Sequence, residues 1–427
     1  MHFKSNQEMI KYLFSLRRMN IKLGLDNINY LMELLGRPEQ SFPSIHVAGT
    51  NGKGSTCAIL ESIYRAVGYK TGLYTSPHLV DVRERIQVDG KWVSLDFIKE
   101  KLEQILSAVK SQGCSFFEVL TAIAFSYFHE QEVDIAIVEV GMGGRLDATN
   151  VLFPKAAIIT EIDVDHQKQL GSEPTQIAGE KAGIIKPGIE VIANTSRVEV
   201  IDHLLNLSDE KKANFTNAMT GVKVDRVKAN LDETKFDLET PFNSWKNLSL
   251  SILGKYQVRN AITAIRTIEI LGSKGFPYKS TAISDGLESV YWPGRLQVLQ
   301  QNPTVIVDVG HNLHGITHVI SEINSILPNR KINCIFGVLA GKNYHAMIEC
   351  LNNYVDQYIA ITPDDERALP EKELAKVIKS YGKDVTEVIS PLDALQKAKH
   401  NTEDEEVICV LGSHFNLKEI LKYYNNA

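Results

Sequence analysis

The stretch IHVAGTNGKGSTCAIL, residues 45–60, constrains the fold more than any other. A short apolar run ends at Ala48, glycines follow at 49, 52 and 54, and apolar residues then recur at helical spacing (Ile59, Ile63, Val67) until Gly68. Strand, glycine loop and helix in that order begin a crossover unit, and crossover units build parallel sheets. Glycine lets backbone N–H groups converge on an anion because no Cβ blocks the approach, and a helix N-terminus adds partial positive charge. A tight turn with a solvated lysine would explain the glycines but not Lys53 and the hydroxyls at these offsets. A phosphate cradle running from Gly49 through Thr50, Asn51, Gly52, Lys53 and Gly54 to Ser55 explains both. Lys53 then neutralises terminal phosphates, and Ser55 or Thr56 offers a hydroxyl to magnesium. The loop departs from the standard P-loop: Val47 stands where that pattern has its first glycine, and Gly54 separates the lysine from Ser55.

Further strands and helices alternate along the chain. Strands are predicted at Lys70 to Thr75, in the apolar run DIAIVEV that leads into GMGG, and at 156–160 and 190–193. Helices are predicted over Leu95 to Val109 and through FEVLTAIAFSYFHEQ. This is the pattern of a doubly wound parallel sheet. Residues from about 205 to 255 are polar with short alternating pieces, read as a small antiparallel sheet on the first domain. After the helix GKYQVRNAITAIRTIEILG, the Pro293-Gly294 break marks a junction. Beyond it TVIVDVG, INCIFGVL, QYIAIT and EEVICVLGS form a second, Rossmann-like α/β unit. The expected organisation is two domains, 1–294 and 295–427, which suits a chain of 427 residues.

Composition excludes some classes. Forty-six basic against 52 acidic residues give a net charge of -6, which offers no polycation for nucleic acid. Five scattered cysteines without a CxxC pair fit a reducing, cytoplasmic setting. No signal peptide and no run of eighteen apolar residues is read, so neither secretion nor membrane association is expected.

Several polar residues sit where chemistry is expected. Glu139 ends the apolar strand IAIVEV, at the carboxyl end where open α/β sheets bind ligands. A magnesium ligand or a structural salt bridge would each satisfy a carboxylate there. Asp308 ends TVIVDV in the same way, with His311 three residues on. Arg295 follows Pro293-Gly294, and its planar fork suits phosphate, although a surface arginine at a linker is equally compatible. From the residues alone, Ser76 reads as a turn former before Pro77, His166 as a surface loop histidine, and Lys181 as a solvated helical lysine beside Glu180.

HVAGTNGKGST, TSPHL at 75–79, VEVGMGGRLDATN at 138–150, DVDHQKQLG at 163–171, AGEKAGIIKPG at 178–188, PGR at 293–295 and DVGHN at 308–312 stand in one order along nearly the whole chain. Together they resemble the folylpolyglutamate synthase and dihydrofolate synthase branch of the Mur ligase superfamily. That resemblance implies an ATP-dependent, ADP-forming ligase that activates a pterin-bearing carboxylate as an acyl phosphate and joins it to L-glutamate. Reduced folates are the implied acceptors, with dihydropteroate as a further one. It also implies two magnesium sites drawn from Ser55, Ser76, Glu139, His166 and Lys181, with Lys181 carbamylated. Asn260, Arg295 and Asp308 become ATP contacts, and His311 and Ser413 lie near the incoming glutamate, with Lys53, Lys181 and His311 in catalysis. A monomer is implied. The chain departs from the family pattern at DVGHN, where DGAHN is usual, and at GSHFN, where a tyrosine usually follows. A cell-wall amino-acid ligase, a P-loop phosphotransferase and an ATP-sensing module are the competing readings. Product analysis with and without glutamate separates them.

Overall fold

The computed structural model describes residues 2–16, 24–163, 171 and 173–425. Its strands in chain order are β1 (Ser44–Ala48), β2 (Thr71–Tyr74), β3 (Ile86–Val88), β4 (Lys91–Trp92), β5 (Ile135–Glu139), β6 (Ala156–Ile159), β7 (Glu190–Ala193) and β8 (Asn214–Asn217), which make one sheet in the order β4-β3-β2-β5-β1-β6-β7-β8. Pairing is parallel from β2 across to β8, while β3 and β4 add an antiparallel edge. β1, β5 and β6 are buried at every position, as strands covered on both faces must be. One apolar layer comes from helices Asn6–Ser15, Asp26–Leu34, Leu95–Gln112 and Phe116–Glu130, through Met9, Leu31, Leu102 and Phe125. A second core gathers Ile177, Ile184 and Leu204 against Ile159 and Val191. Helix starts follow local chemistry: Ser115 accepts from the amide of Glu118, whose carboxylate accepts from the amide of Ser115.

Three further strands, β9 (Lys223–Ala229), β10 (Thr234–Glu239) and β11 (Ser244–Leu250), form a sheet in the order β11-β10-β9. The polar region expected to form this small sheet is shorter than the sequence suggested. Val198–Glu210 is a helix, and β8 joins the large sheet beside β7. The C-terminal sheet contains β12 (Gln297–Gln301), β13 (Thr304–Val307), β14 (Ile332–Phe336), β15 (Gln357–Ala360), β16 (Val385–Glu387) and β17 (Val407–Leu411), ordered β12-β13-β17-β14-β15-β16. All its pairs are parallel except β12 with β13. Contacts divide the chain into two compact units, one of residues 1–223, 238–245 and 259–290, the other of 224–237, 246–258 and 291–427. Among the described residues no helix is long and apolar enough to cross a membrane.

Candidate functional site

In the first unit β2, β5, β1 and β6 lie side by side, so the segments leaving their carboxyl ends converge. Those segments carry Ser76, Glu139, the 49–55 loop, and Thr160 with Glu161. The helix Lys53–Val67 starts directly from the loop, with Gly52 at its N-cap in the left-handed region, φ 86°. Gly49 has no room for a side chain: a Cβ there would lie 1.8 Å from Thr160 Oγ1. That hydroxyl donates to the carbonyl oxygen of Asn51 at 2.8 Å. The amides of Thr50 and Asn51 both donate to the carbonyl of Glu161, at 2.8 and 3.2 Å. They therefore brace the loop against the end of β6. The N–H groups left to an anion are those of the helix's first turn, Lys53, Gly54 and Ser55, which have no acceptor within the helix.

Two lysines meet at one carbonyl. Lys53 Nζ donates to the oxygens of Gly49 and Thr50 at 3.1 and 3.3 Å. Lys181 Nζ donates to the same Gly49 oxygen at 2.8 Å and is only 4% exposed, so the solvated lysine of the residue-level reading is replaced by a buried one. Its place depends on the GMGGR loop: Arg145 donates its amide to the carbonyl of Glu180 at 2.9 Å, and a Cβ on Gly144 would lie 2.7 Å from the carbonyl of Lys181. Glu139 is buried, and its Oε2 accepts from the amide of Ser76 at 2.9 Å. Burial raises the pKa of Cys57, the Glu139 carboxylate raises it further and the Lys53 ammonium lowers it, which puts both charges near this helix. Asn260 reaches the loop, since a Cβ on Gly52 would lie 2.5 Å from its Oδ1. Buried Ser55 completes the set. His166 lies outside the described residues.

In the second unit β13, β17 and β14 are neighbours, and Asp308 and Ser413 follow two of them. Asp308 Oδ1 accepts from the amide of Gly310 at 2.6 Å and Oδ2 from that of Leu296 at 2.8 Å. Burial raises the pKa of this carboxyl, and the nearby Arg295 guanidinium opposes the rise. The 308–312 loop is tied to the turn after β17 by the amide of Gly412 donating to the carbonyl of Gly310 at 3.0 Å. His311 Nδ1 lies 3.1 Å from the carbonyl oxygen of Val309. Ser413 Oγ, almost fully buried, accepts from the amide of Phe415 at 3.3 Å. The first unit thus gathers Gly49 to Ser55, Ser76, Glu139, Lys181 and Asn260, and the second gathers Arg295, Asp308, His311 and Ser413.

The sequence reading missed two supports. Thr160 carries a hydroxyl at the end of a strand adjoining β1, a position visible only once strand order is known. Asp147 is buried, which raises its pKa, and its carboxylate accepts from the amides of Met142 and Thr149 at 2.9 and 3.0 Å and from Thr149 Oγ1 at 2.5 Å. Thr149 in turn contacts His46 Nε2 at 2.8 Å, fastening the GMGG loop to β1.

Residues 47–268 match the Mur ligase middle domain, and residues 294–414 match the Mur ligase glutamate ligase domain. The chain therefore carries a Mur ligase middle domain followed by a glutamate ligase domain. A dihydrofolate synthase/folylpolyglutamate synthase of Bacillus subtilis is 31% identical over 98% of this chain and 99% of its own. The structure of Escherichia coli FolC in complex with DHPP and ADP superposes with a TM-score of 0.89 at 28% identity, covering 100% of this chain and 99% of the other. The bifunctional folylpolyglutamate synthase/dihydrofolate synthase of Yersinia pestis, complexed with AMPPNP and Mn ion, gives 0.88 at 26% identity, covering 100% and 99%. The chain belongs to the folylpolyglutamate synthase/dihydrofolate synthase family of the Mur ligase superfamily.

Proposed function

We infer that the 49–55 loop holds the polyphosphate of ATP and directs its γ-phosphoryl group to the carboxylate of a pterin compound. As a member of its family the chain is an ATP-dependent ligase that adds L-glutamate to folates, using a divalent metal. The observation that carries the assignment of the loop is the meeting of Lys53 and Lys181 at the Gly49 oxygen, beside the first-turn amides of Lys53 to Ser55. The Lys53 ammonium and a row of N–H groups stabilise charge on a transferring phosphoryl group, and Lys181 braces the loop that carries them.

The residues fit a hard cation: Glu139 is a buried carboxylate whose Oε2 accepts from the amide of Ser76, and the Ser55 and Ser76 hydroxyls add neutral oxygens. Glu139, Ser55 and Ser76 would hold magnesium, which supplies charge neutralisation across the phosphates. His166 and a carbamylated Lys181 would complete a second metal site. Carbamylation leaves one N–H on Lys181, enough to keep the Gly49 contact, and places a carboxylate beyond it. Asn260, Arg295 and Asp308 act as nucleotide contacts, Asp308 by fixing the backbone beside Arg295.

The reaction balances in two steps. A carboxylate oxygen of the acceptor attacks the γ-phosphorus and ADP leaves. The amine of glutamate then attacks the acyl carbon, loses a proton, and phosphate leaves, with His311 and Ser413 orienting the amino acid. The acceptor range we propose covers both dihydropteroate and reduced folates, supported by full-length similarity to relatives carrying both names. We further propose a cytoplasmic monomer without nucleic-acid or membrane partners, divided at 1–294 and 295–427. Its negative charge speaks against a nucleic-acid partner, and its five free cysteines suit the cytoplasm. Mass analysis of products from MgATP with dihydropteroate or tetrahydrofolate, with and without L-glutamate, tests the reading. A glutamyl gain with each acceptor supports it, and a phosphorylated product that ignores glutamate overturns it.

A further inference from the structure

The helix Leu313–Ile326 carries two histidines one turn apart that the reaction does not use. The rings of His314 and His318 have centroids 4.4 Å apart and planes inclined at 62°. His318 is exposed, His314 half-buried, and the ring of Tyr256 lies 5.8 Å from His318. Residues at i and i+4 share a helix face. A metal ion bonded to one nitrogen of each imidazole at about 2.0–2.1 Å needs the two rings this close together.

We propose that His314 and His318 form a binding site for a late first-row divalent ion, Cu2+, Ni2+ or Zn2+, with water filling the remaining coordination positions. Imidazole nitrogen favours these ions, whereas magnesium takes oxygen ligands, so the site is chemically distinct from one that serves ATP. Among the described residues no group of three His, Cys, Asp or Glu side chains is placed to hold a metal. The site is accordingly a two-ligand, exchangeable one. Asn312 caps this helix by accepting from the amide of Gly315 at 2.8 Å, so a bound ion would clasp the turns that immediately follow the 308–312 loop.

The test is calorimetric titration of the full chain, in saturating Mg2+, with CuCl2, NiCl2 and ZnCl2 separately. Alongside it, histidine ring spectra are followed through paramagnetic broadening by Cu2+. We expect one ion per chain, tightest for Cu2+, broadening at His314 and His318, and roughly tenfold or greater weakening in both His314→Gln and His318→Gln. His345→Gln, on the separate helix Tyr344–Leu351, should leave the affinity unchanged. Unchanged affinity in the double variant His314→Gln/His318→Gln overturns the proposal, as does loss of binding in His311→Ala with both other histidines intact. Exposed and half-buried positions tolerate glutamine, and an unchanged melting temperature without metal verifies this for each variant.

Discussion

Lys181 Nζ reaches across 132 residues of sequence to donate a 2.8 Å hydrogen bond to the carbonyl oxygen of Gly49. That bond ties Gly49, where the phosphate loop begins, to the helix Pro174–Lys181. Lys181→Met keeps the length of the side chain and removes both the donor to Gly49 and the nitrogen that carbamylation needs. The hydrogen bond itself contributes about 0.5–1.5 kcal/mol, and losing one preorganised electrostatic contribution at the reacting phosphate costs about a hundredfold in rate. Steady-state kinetics should show kcat down by about that factor, with a lowered melting temperature. Wild-type kcat in this variant would detach Lys181 from the site.

Gly49 and Thr160 interlock, with 1.8 Å between the hydroxyl and a hypothetical Cβ. Gly49→Ala must displace either the loop or Thr160, and overpacking of this kind costs about 1–3 kcal/mol. Urea unfolding should register that loss together with weakened ATP binding. The double variant Gly49→Ala/Thr160→Ala removes the 1.8 Å contact, leaving the Cβ of residue 160 at 3.0 Å, and should recover part of the ATP affinity. No recovery would mean that the glycine serves something other than close packing.

The loop, the central strands and the carboxylates at their ends were legible in the sequence because each is a local pattern: apolar runs, glycines and a polar residue at a strand's end. Lys181 was not, since its burial depends on the GMGGR loop folding over residues 180–181, a contact made by distant segments. Without the family resemblance it reads as surface. The hairpin of β3 and β4 does have a local signal, Asp89-Gly90, both with positive φ (51° and 71°), as a two-residue turn requires. β8 has none. Of its residues Asn214–Asn217 only Phe215 is apolar and none is fully buried, and it is a strand only because β7 offers an open edge. The commitment of the Thr50 and Asn51 amides to Glu161 likewise depends on strand order, which no window of sequence contains.

His46 gives the fold a pH dependence. It is fully buried on β1, and burial, helped by Lys186, lowers its pKa to about 3. The unfolded chain binds a proton near pH 6.5 where the native state does not, so stability from this group is complete above that pH and is lost as pH falls toward 3. Between pH 7.5 and 5 the loss is about 2 kcal/mol. Urea titrations at the two pH values should show that His46→Gln is less acid-sensitive than the parent by this amount. Equal sensitivity would place the acid-labile group elsewhere.

The central claim is that the acceptor's own carboxylate takes the γ-phosphoryl group of ATP before glutamate attacks. Acceptor labelled with 18O in that carboxylate, turned over with MgATP and L-glutamate, measures it directly by mass analysis of the inorganic phosphate. The account predicts one 18O atom in each phosphate released, because the carboxylate oxygen that attacked phosphorus departs with it. Phosphate without label, formed at the same rate as the glutamyl product, would contradict it.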